Sequence, residues 1–257
     1  MKMLKQILMV IMVLTVIISC KKDDKNSTLT LEIDTISAKW LVSGTSEYSS
    51  FEFNKSGNYI VIKNANTTNQ QIKFGTYTIT ESTIILSDYG TIIVSEIKDN
   101  SITFIFKTSI NPDTEINIVA NKQEEMESTT KTDLLCRTWE LLTFNGDPVA
   151  GTDMELTVLF SKAGTYFVTY NNEPDTENVA QWKWKNTEET ELYYSWDEVP
   201  NWGTASYVQI TELTSNSLII NENDVVYVLQ PLTNTKSVNF NSVNKFSEKE
   251  TKGIFFK

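Results

Sequence analysis

The sequence predicts an all-β fold: two tandem small antiparallel β-barrels, about eight strands in each. Three observations carry this expectation: an internal repeat, apolar side chains that alternate with period two, and glycine-bearing turns at matching places in both copies. The repeat shows in short signatures. Phe53-Asn54-Lys55-Ser56-Gly57-Asn58-Tyr59 returns as Phe160-Ser161-Lys162-Ala163-Gly164-Thr165-Tyr166, and Trp40 returns as Trp139. Glu96-Ile97-x-x-Asn100-Ser101-Ile102 returns as Glu212-Leu213-x-x-Asn216-Ser217-Leu218. The offset between copies grows from 99 to 107 to 116, so the second copy carries insertions. They fall in turn-like stretches at residues 145–148, 171–178 and 198–203. Loops absorb insertions at little thermodynamic cost.

In chain order, Lys2 and Lys5 precede an apolar run over residues 7–18, then small Ser19 and Cys20. This is the pattern of a secretory signal, and the run is too short to cross a bilayer as a helix. Residues 1–19 are therefore expected to be removed. Residues 20–30, with Lys21-Lys22-Asp23-Asp24-Lys25, hold too few apolar side chains to order themselves and read as a polar tether.

The first copy, residues 31–120, is rich in Ile, Thr, Val, Tyr and Phe, with strands expected at 38–44, 50–54, 58–64, 72–79, 83–87, 91–98, 101–107 and 115–120. Phe51-x-Phe53, Ile102-x-Phe104-x-Phe106 and Ile116-x-Ile118 put every second side chain on one face. The second copy, residues 133–231, predicts strands at 137–144, 155–161, 165–171, 179–186, 191–196, 204–213, 217–221 and 224–230. Gly57 and Gly164 supply the positive φ of hairpin turns, and Trp40 and Trp139 are expected to plug the two barrel bases. Residues 121–132, with Gln123-Glu124-Glu125-Met126-Glu127, show no apolar alternation and are either a linker or one short helix. The tail, residues 232–257, has five Lys and two Glu and ends Ile254-Phe255-Phe256-Lys257. It either adds an edge strand or packs on the second domain.

Composition narrows the chemistry. The chain has no histidine, which excludes Ser/His/Asp and Cys/His nucleophiles and histidine zinc sites. With 33 Asp+Glu, some carboxylate pair always lies at glycosidase spacing, so that signal is empty and no enzymatic activity is expected. No cofactor is implied. The net charge of −11 opposes nucleic-acid binding. Acid concentrates in residues 133–231, with 16 acidic against 4 basic side chains. Glu173-Pro174-Asp175-Thr176-Glu177 and Asp197-Glu198 offer carboxylates to calcium but lack the spacing of a dedicated loop, so a solvated acidic face is expected and no metal site.

Ile17-Ile18-Ser19-Cys20 resembles the lipobox of bacterial lipoproteins. The resemblance implies cleavage before Cys20, which then carries lipid such as palmitate on its sulfur and amine. Several acyl chains hold a membrane stably where one does so marginally. Cys136 is then left without an intramolecular disulfide partner and reads as a buried small apolar residue. Lys22-Asp23-Asp24 is similar to the export signal of Bacteroidota surface lipoproteins, which implies an outer-membrane, cell-surface location. Asp34-Thr35-Ile36 resembles the O-glycosylation site of Bacteroidota exported proteins. An opening Trp, a Phe-x-x-x-Gly-x-Tyr hairpin and a run of short strands resemble the lipocalin-like domains of Bacteroidota lipoproteins, over residues 30–120 and 133–231. Where that family has Gly-x-Trp, this chain has Ala38 and Arg137. The resemblance implies a small barrel whose open end takes an apolar or amphipathic ligand.

Aromatic residues give the candidate site. In Gln181-Trp182-Lys183-Trp184-Lys185 both indoles share a strand face opposite the lysines, and Leu192, Tyr194 and Trp196 share a face of the next strand. Trp182, Trp184, Tyr194 and Trp196 are expected to point inward, with Trp202 on a loop over the opening. Gly75 and Tyr77 are expected opposite Trp182 and Trp184 in the other copy. Two readings stay open: the indoles fill the interior as core, or they line a cavity or rim for a sugar or lipid-like ligand. The expected function is a lipid-anchored protein binding a small apolar or amphipathic ligand. The alternative is a surface module recognising glycan or protein through exposed aromatic and acidic loops.

Overall fold

Alternation along each strand puts one face inside a barrel and the other outside, and both copies close on themselves. The structure is a computed structural model that describes residues 29–65, 70–171, 173–197, 200–232 and 255–256. The signal segment, Cys20, Lys22-Asp23-Asp24 and Glu198 lie outside the described residues. In the first copy a helical turn, α1 (Ile33–Ile36), precedes β1 (Lys39–Val42), β2 (Tyr48–Phe53), β3 (Asn58–Lys63), β4 (Gln71–Thr80), β5 (Thr83–Leu86), β6 (Gly90–Lys98), β7 (Ser101–Thr108) and β8 (Ile116–Lys122). Each strand pairs antiparallel with the next, and β8 returns to β1.

The second copy repeats this with α2 (Thr130–Leu135), β9 (Thr138–Phe144), β10 (Asp147–Pro148), β11 (Leu156–Phe160), β12 (Thr165–Tyr170), β13 (Glu173–Trp184), β14 (Glu191–Ser195), β15 (Ser206–Leu213), β16 (Leu218–Glu222) and β17 (Val225–Pro231). Here β17 closes on β9, and β10 is a two-residue addition to β9 outside the ring. The architecture is thus all-β, two tandem eight-stranded antiparallel barrels of the lipocalin-like kind.

The repeat signatures mark structural joints. Gly57 and Gly164 take φ of 82° and 79° in matching hairpin turns, a region only glycine enters freely. The Glu96 and Glu212 signatures sit at matching register shifts, Val94/Glu96 and Ile210/Glu212, where each strand bulges. The helical turns are also equivalent. Trp40 donates its indole N–H to the Ile36 carbonyl and Trp139 to that of Leu135, both at 2.9 Å, so each tryptophan locks a helical turn into its barrel base. Ile36, Leu135 and both indoles are buried.

Two expectations need correction. Residues 171–178 were expected as an inserted loop, but the strand β13 begins at Glu173. Its pairing with β12 shifts register between Thr169 and Tyr170, an irregularity that accommodates Pro174, which has no N–H for a ladder. The expected equivalence of Gly75 with Trp182 is off by two residues. The Tyr77 N–H bonds the Gly57 carbonyl as the Trp182 N–H bonds that of Gly164, so Tyr77 matches Trp182 and Gly75 matches Ala180. An even shift keeps the strand face, so parity alone could not reveal it.

The barrels pack through matching outer positions. Ile60 and its counterpart Phe167 meet, with Phe74, Ile62, Ile72, Leu159 and Val179 around them; the Phe74 and Phe167 rings are 4.8 Å apart. Beside this apolar patch the Thr165 hydroxyl donates to Glu52 at 2.6 Å and Lys39 donates to the Thr165 oxygen at 3.2 Å. The connecting residues are fastened to the second barrel, with the Gln123 side chain donating to the Ala163 carbonyl and the Met126 N–H to that of Lys162. Phe167→Ala should therefore cost about 3 kcal/mol and loosen the barrels from each other. Small-angle scattering should show the two barrels drawing apart.

Candidate functional site

The two barrels are filled by different means. In the first, Phe51, Phe104 and Phe106 are all buried and meet edge to face, at 5.1 Å for Phe51–Phe104 and 5.4 Å for Phe51–Phe106. By the repeat, the second barrel has Val158, Ile220 and Glu222 at these places. Three phenyl rings are replaced by two small aliphatic groups and a carboxylate. Side chains of the strands leave a chamber there, and close packing does not tolerate one.

The chamber is occupied by Phe255 and Phe256, both wholly buried. Phe255 stacks on Tyr166 at 4.8 Å and meets Tyr194 edge-on at 4.9 Å; Phe256 lies edge-on to Tyr227 at 4.7 Å. The tail therefore packs on the second domain, from within. Phe144 at the far end of β9 packs on Tyr227, so Phe256 lies toward the end away from α2. Val149 and Met154, from the loop that follows β10, are buried at the same core.

The pair is held by its main chain as well as its rings. The Phe255 N–H donates to Glu222 at 3.1 Å, the Tyr166 hydroxyl donates to the Phe255 carbonyl at 2.7 Å, and the Tyr170 hydroxyl to the Phe256 carbonyl at 3.2 Å. Glu222 also accepts from the Tyr194 hydroxyl at 2.5 Å and the Tyr227 hydroxyl at 3.1 Å. Buried polar groups cost free energy unless paired, and here each oxygen of the carboxylate has donors. Burial pushes the Tyr166, Tyr194 and Tyr227 hydroxyls above the usual phenol range, with Glu222 adding to the effect in each. They stay protonated as donors at any pH at which the protein works.

Tyr166 has a counterpart that shows why it is free for this task. In the first barrel Tyr59 lies across Gly75, where a Cβ would come within 2.8 Å of its ring, and its hydroxyl reaches the Ser87 carbonyl at 2.9 Å. Tyr166 pairs with Ala180 instead, so that pose is closed to it and its hydroxyl turns to the inserted backbone.

Of the candidate site residues Trp182, Trp184, Tyr194, Trp196 and Trp202, Tyr194 meets the inserted pair ring to ring. Trp182 is buried near the base, edge-on to Phe160 and Trp184, and its indole N–H donates to the Ser161 carbonyl at 3.0 Å. Tyr77 does the same for the Asn54 carbonyl at 2.7 Å, so Trp182 fills a place that both copies use to pin a hairpin. Trp184 is half-buried and donates to Thr132 of α2 at 2.9 Å. Trp196 is half-buried against Tyr166, 5.4 Å between centroids. Trp202 lies outside the barrel rather than over its opening, against Tyr193 at 6.3 Å with the Lys183 ammonium 4.9 Å from its ring. Lys183 faces outward by parity and draws the indole to that side.

Glu222 and the Phe255–Phe256 pair were missed. The signal was present: Leu218-x-Ile220-x-Glu222 puts a carboxylate on an inward parity, and Phe255-Phe256 is the one adjacent pair of aromatics in the tail.

Elsewhere, a cleft of about 410 Å³ between the barrels is lined in part by Lys39, Lys55, Lys122 and Lys162. Each of these lysines is already paired, with Glu52, Asp34, Glu125 and Asp133 respectively. Cys136, half-buried in the same cleft, is a free cysteine whose thiol is pushed up by burial, which keeps it protonated and unreactive. Among the described residues no group of three His, Cys, Asp or Glu is placed to hold a metal ion. No protein-family model matches the chain, and no curated protein matches it.

Proposed function

We propose that the protein is a non-enzymatic, lipid-anchored protein of the outer membrane, exposed at the cell surface, whose second barrel binds a small apolar or amphipathic ligand. The chamber carries this reading. Its strands do not fill it, its walls are aromatic, and Glu222, Tyr166 and Tyr170 offer the few polar contacts that orient a guest. The lipobox-like Ile17-Ile18-Ser19-Cys20 supports the anchor.

The test uses Phe255→Ala/Phe256→Ala in the chain from residue 21, titrated with fatty acids and sterols. A ligand that binds only the folded barrel raises its stability in proportion to occupancy, by about 2.7 kcal/mol at a hundredfold excess over Kd. A saturable rise in melting temperature is expected, with a shift in the emission of Trp196. A panel of fatty acids, sterols and apolar peptides without effect contradicts the reading.

A second reading rests on the outer face. Tyr193, Trp202 and half-exposed Tyr207 form an aromatic cluster with Lys183 and Lys185, the latter 3.4 Å from the Tyr207 ring. Such faces suit sugar rings. In that case Trp202→Ala should abolish oligosaccharide binding and leave the amphiphile titration unchanged.

A further inference from the structure

The contacts inside the second barrel read a backbone. A buried backbone needs partners for its N–H and carbonyls, and Tyr166, Tyr170 and Glu222 supply them for Phe255 and Phe256, so the chamber is lined for a peptide segment as well as for apolar rings. The first barrel shows the plain solution, in which Phe51, Phe104 and Phe106 from its own strands complete the core. In the second, the same space is filled by a dipeptide separated from β17 by residues 232–254 of the sequence.

We propose that this chamber is a peptide site that takes an aromatic dipeptide segment, of the Phe-Phe class, from another polypeptide, and that Phe255–Phe256 is its resident occupant. The inference rests on the reading of the second barrel as a binding module and narrows its guest. Three features define what fits: two adjacent flat rings for the box of Phe160, Tyr166, Tyr194 and Tyr227, an N–H for Glu222, and successive carbonyls for Tyr166 and Tyr170. A fatty acid satisfies the apolar walls but has no N–H, which leaves Glu222 one donor short. A site built to bond a donor discriminates strongly against guests that lack it. The resident pair competes with any incoming segment, so affinity of the intact chain is reduced by the fraction of time the chamber is held.

The experiment uses the chain from residue 21 ending at Leu232, the intact chain from residue 21, and the intact chain with Phe255→Leu/Phe256→Leu. The probe is a blocked synthetic peptide of residues 253–257, with a peptide in which both phenylalanines are serine as control. Binding is read by tryptophan emission and near-ultraviolet dichroism. The truncated chain should bind the peptide saturably, at least tenfold more tightly than the intact chain, and should ignore the control. Glu222→Leu in the truncated chain should weaken binding at least tenfold. If the truncated chain takes fatty acids or sterols and not the peptide, the peptide inference falls and the broader ligand-binding function stands. If it is folded and takes neither, both fall. Where truncation leaves the barrel unfolded even with peptide added, the leucine variant decides. Peptide binding to it upholds the proposal, and no binding makes the pair ordinary core and overturns it.

Discussion

Replacing Phe255 and Phe256 together by alanine should lower the stability of the second barrel by about 6 kcal/mol, and leave the unfolding of the first barrel unchanged. A buried Phe→Ala substitution costs about 3–5 kcal/mol, and two rings in contact do not contribute independently. The pair touches, with centroids 4.8 Å apart, and both rings are wholly buried among Phe160, Tyr166, Tyr194 and Tyr227. A domain has about 5–15 kcal/mol in all, so the variant barrel should stand near its midpoint. Denaturation followed at two signals separates the copies, since the first barrel has Trp40 and the second the other five tryptophans. Loss confined to the second set is expected; equal loss in both, or none in either, contradicts the account.

The second large effect concerns the anchor. Cys20→Ala should abolish incorporation of radiolabelled palmitate and release the protein from the membrane fraction or leave it uncleaved. The sulfur of Cys20 is the acylation site that the resemblance of Ile17-Ile18-Ser19-Cys20 to a lipobox implies. One acyl chain binds membranes only marginally, so partial acylation should not hold the protein. Undiminished labelling of the variant contradicts the anchor.

All sixteen expected strands are present, because each needs only its own local pattern: a period-two run between turn residues. Ile102-x-Phe104-x-Phe106 shows it directly, with all three buried on one face of β7. What local pattern does not carry is the partner across the strand. Gly75-x-Tyr77 shares its spacing with Trp182-x-Trp184, while the hairpin bond from the Tyr77 N–H to the Gly57 carbonyl decides the register. A loop likewise has no parity, so the side on which Trp202 falls depends on Lys183 of a neighbouring strand. The chamber was hidden for a third reason. Its walls come from β11, β12, β14, β16 and β17 and its content from Phe255 and Phe256, so no window of sequence holds both. Glu222 was legible only as an anomaly, a carboxylate where the first copy has Phe106.

The resident pair is most directly tested by hydrogen exchange of the Phe255 amide in the intact chain, measured by nuclear magnetic resonance alongside ring contacts of Phe255. Bonded to Glu222 at 3.1 Å inside the barrel, this amide should exchange as slowly as the strand amides around it and show contacts to the Tyr166 and Tyr194 rings. Glu222→Leu should speed its exchange. Exchange of the Phe255 amide at the rate of an unprotected peptide, with no contact to either ring, would contradict the account.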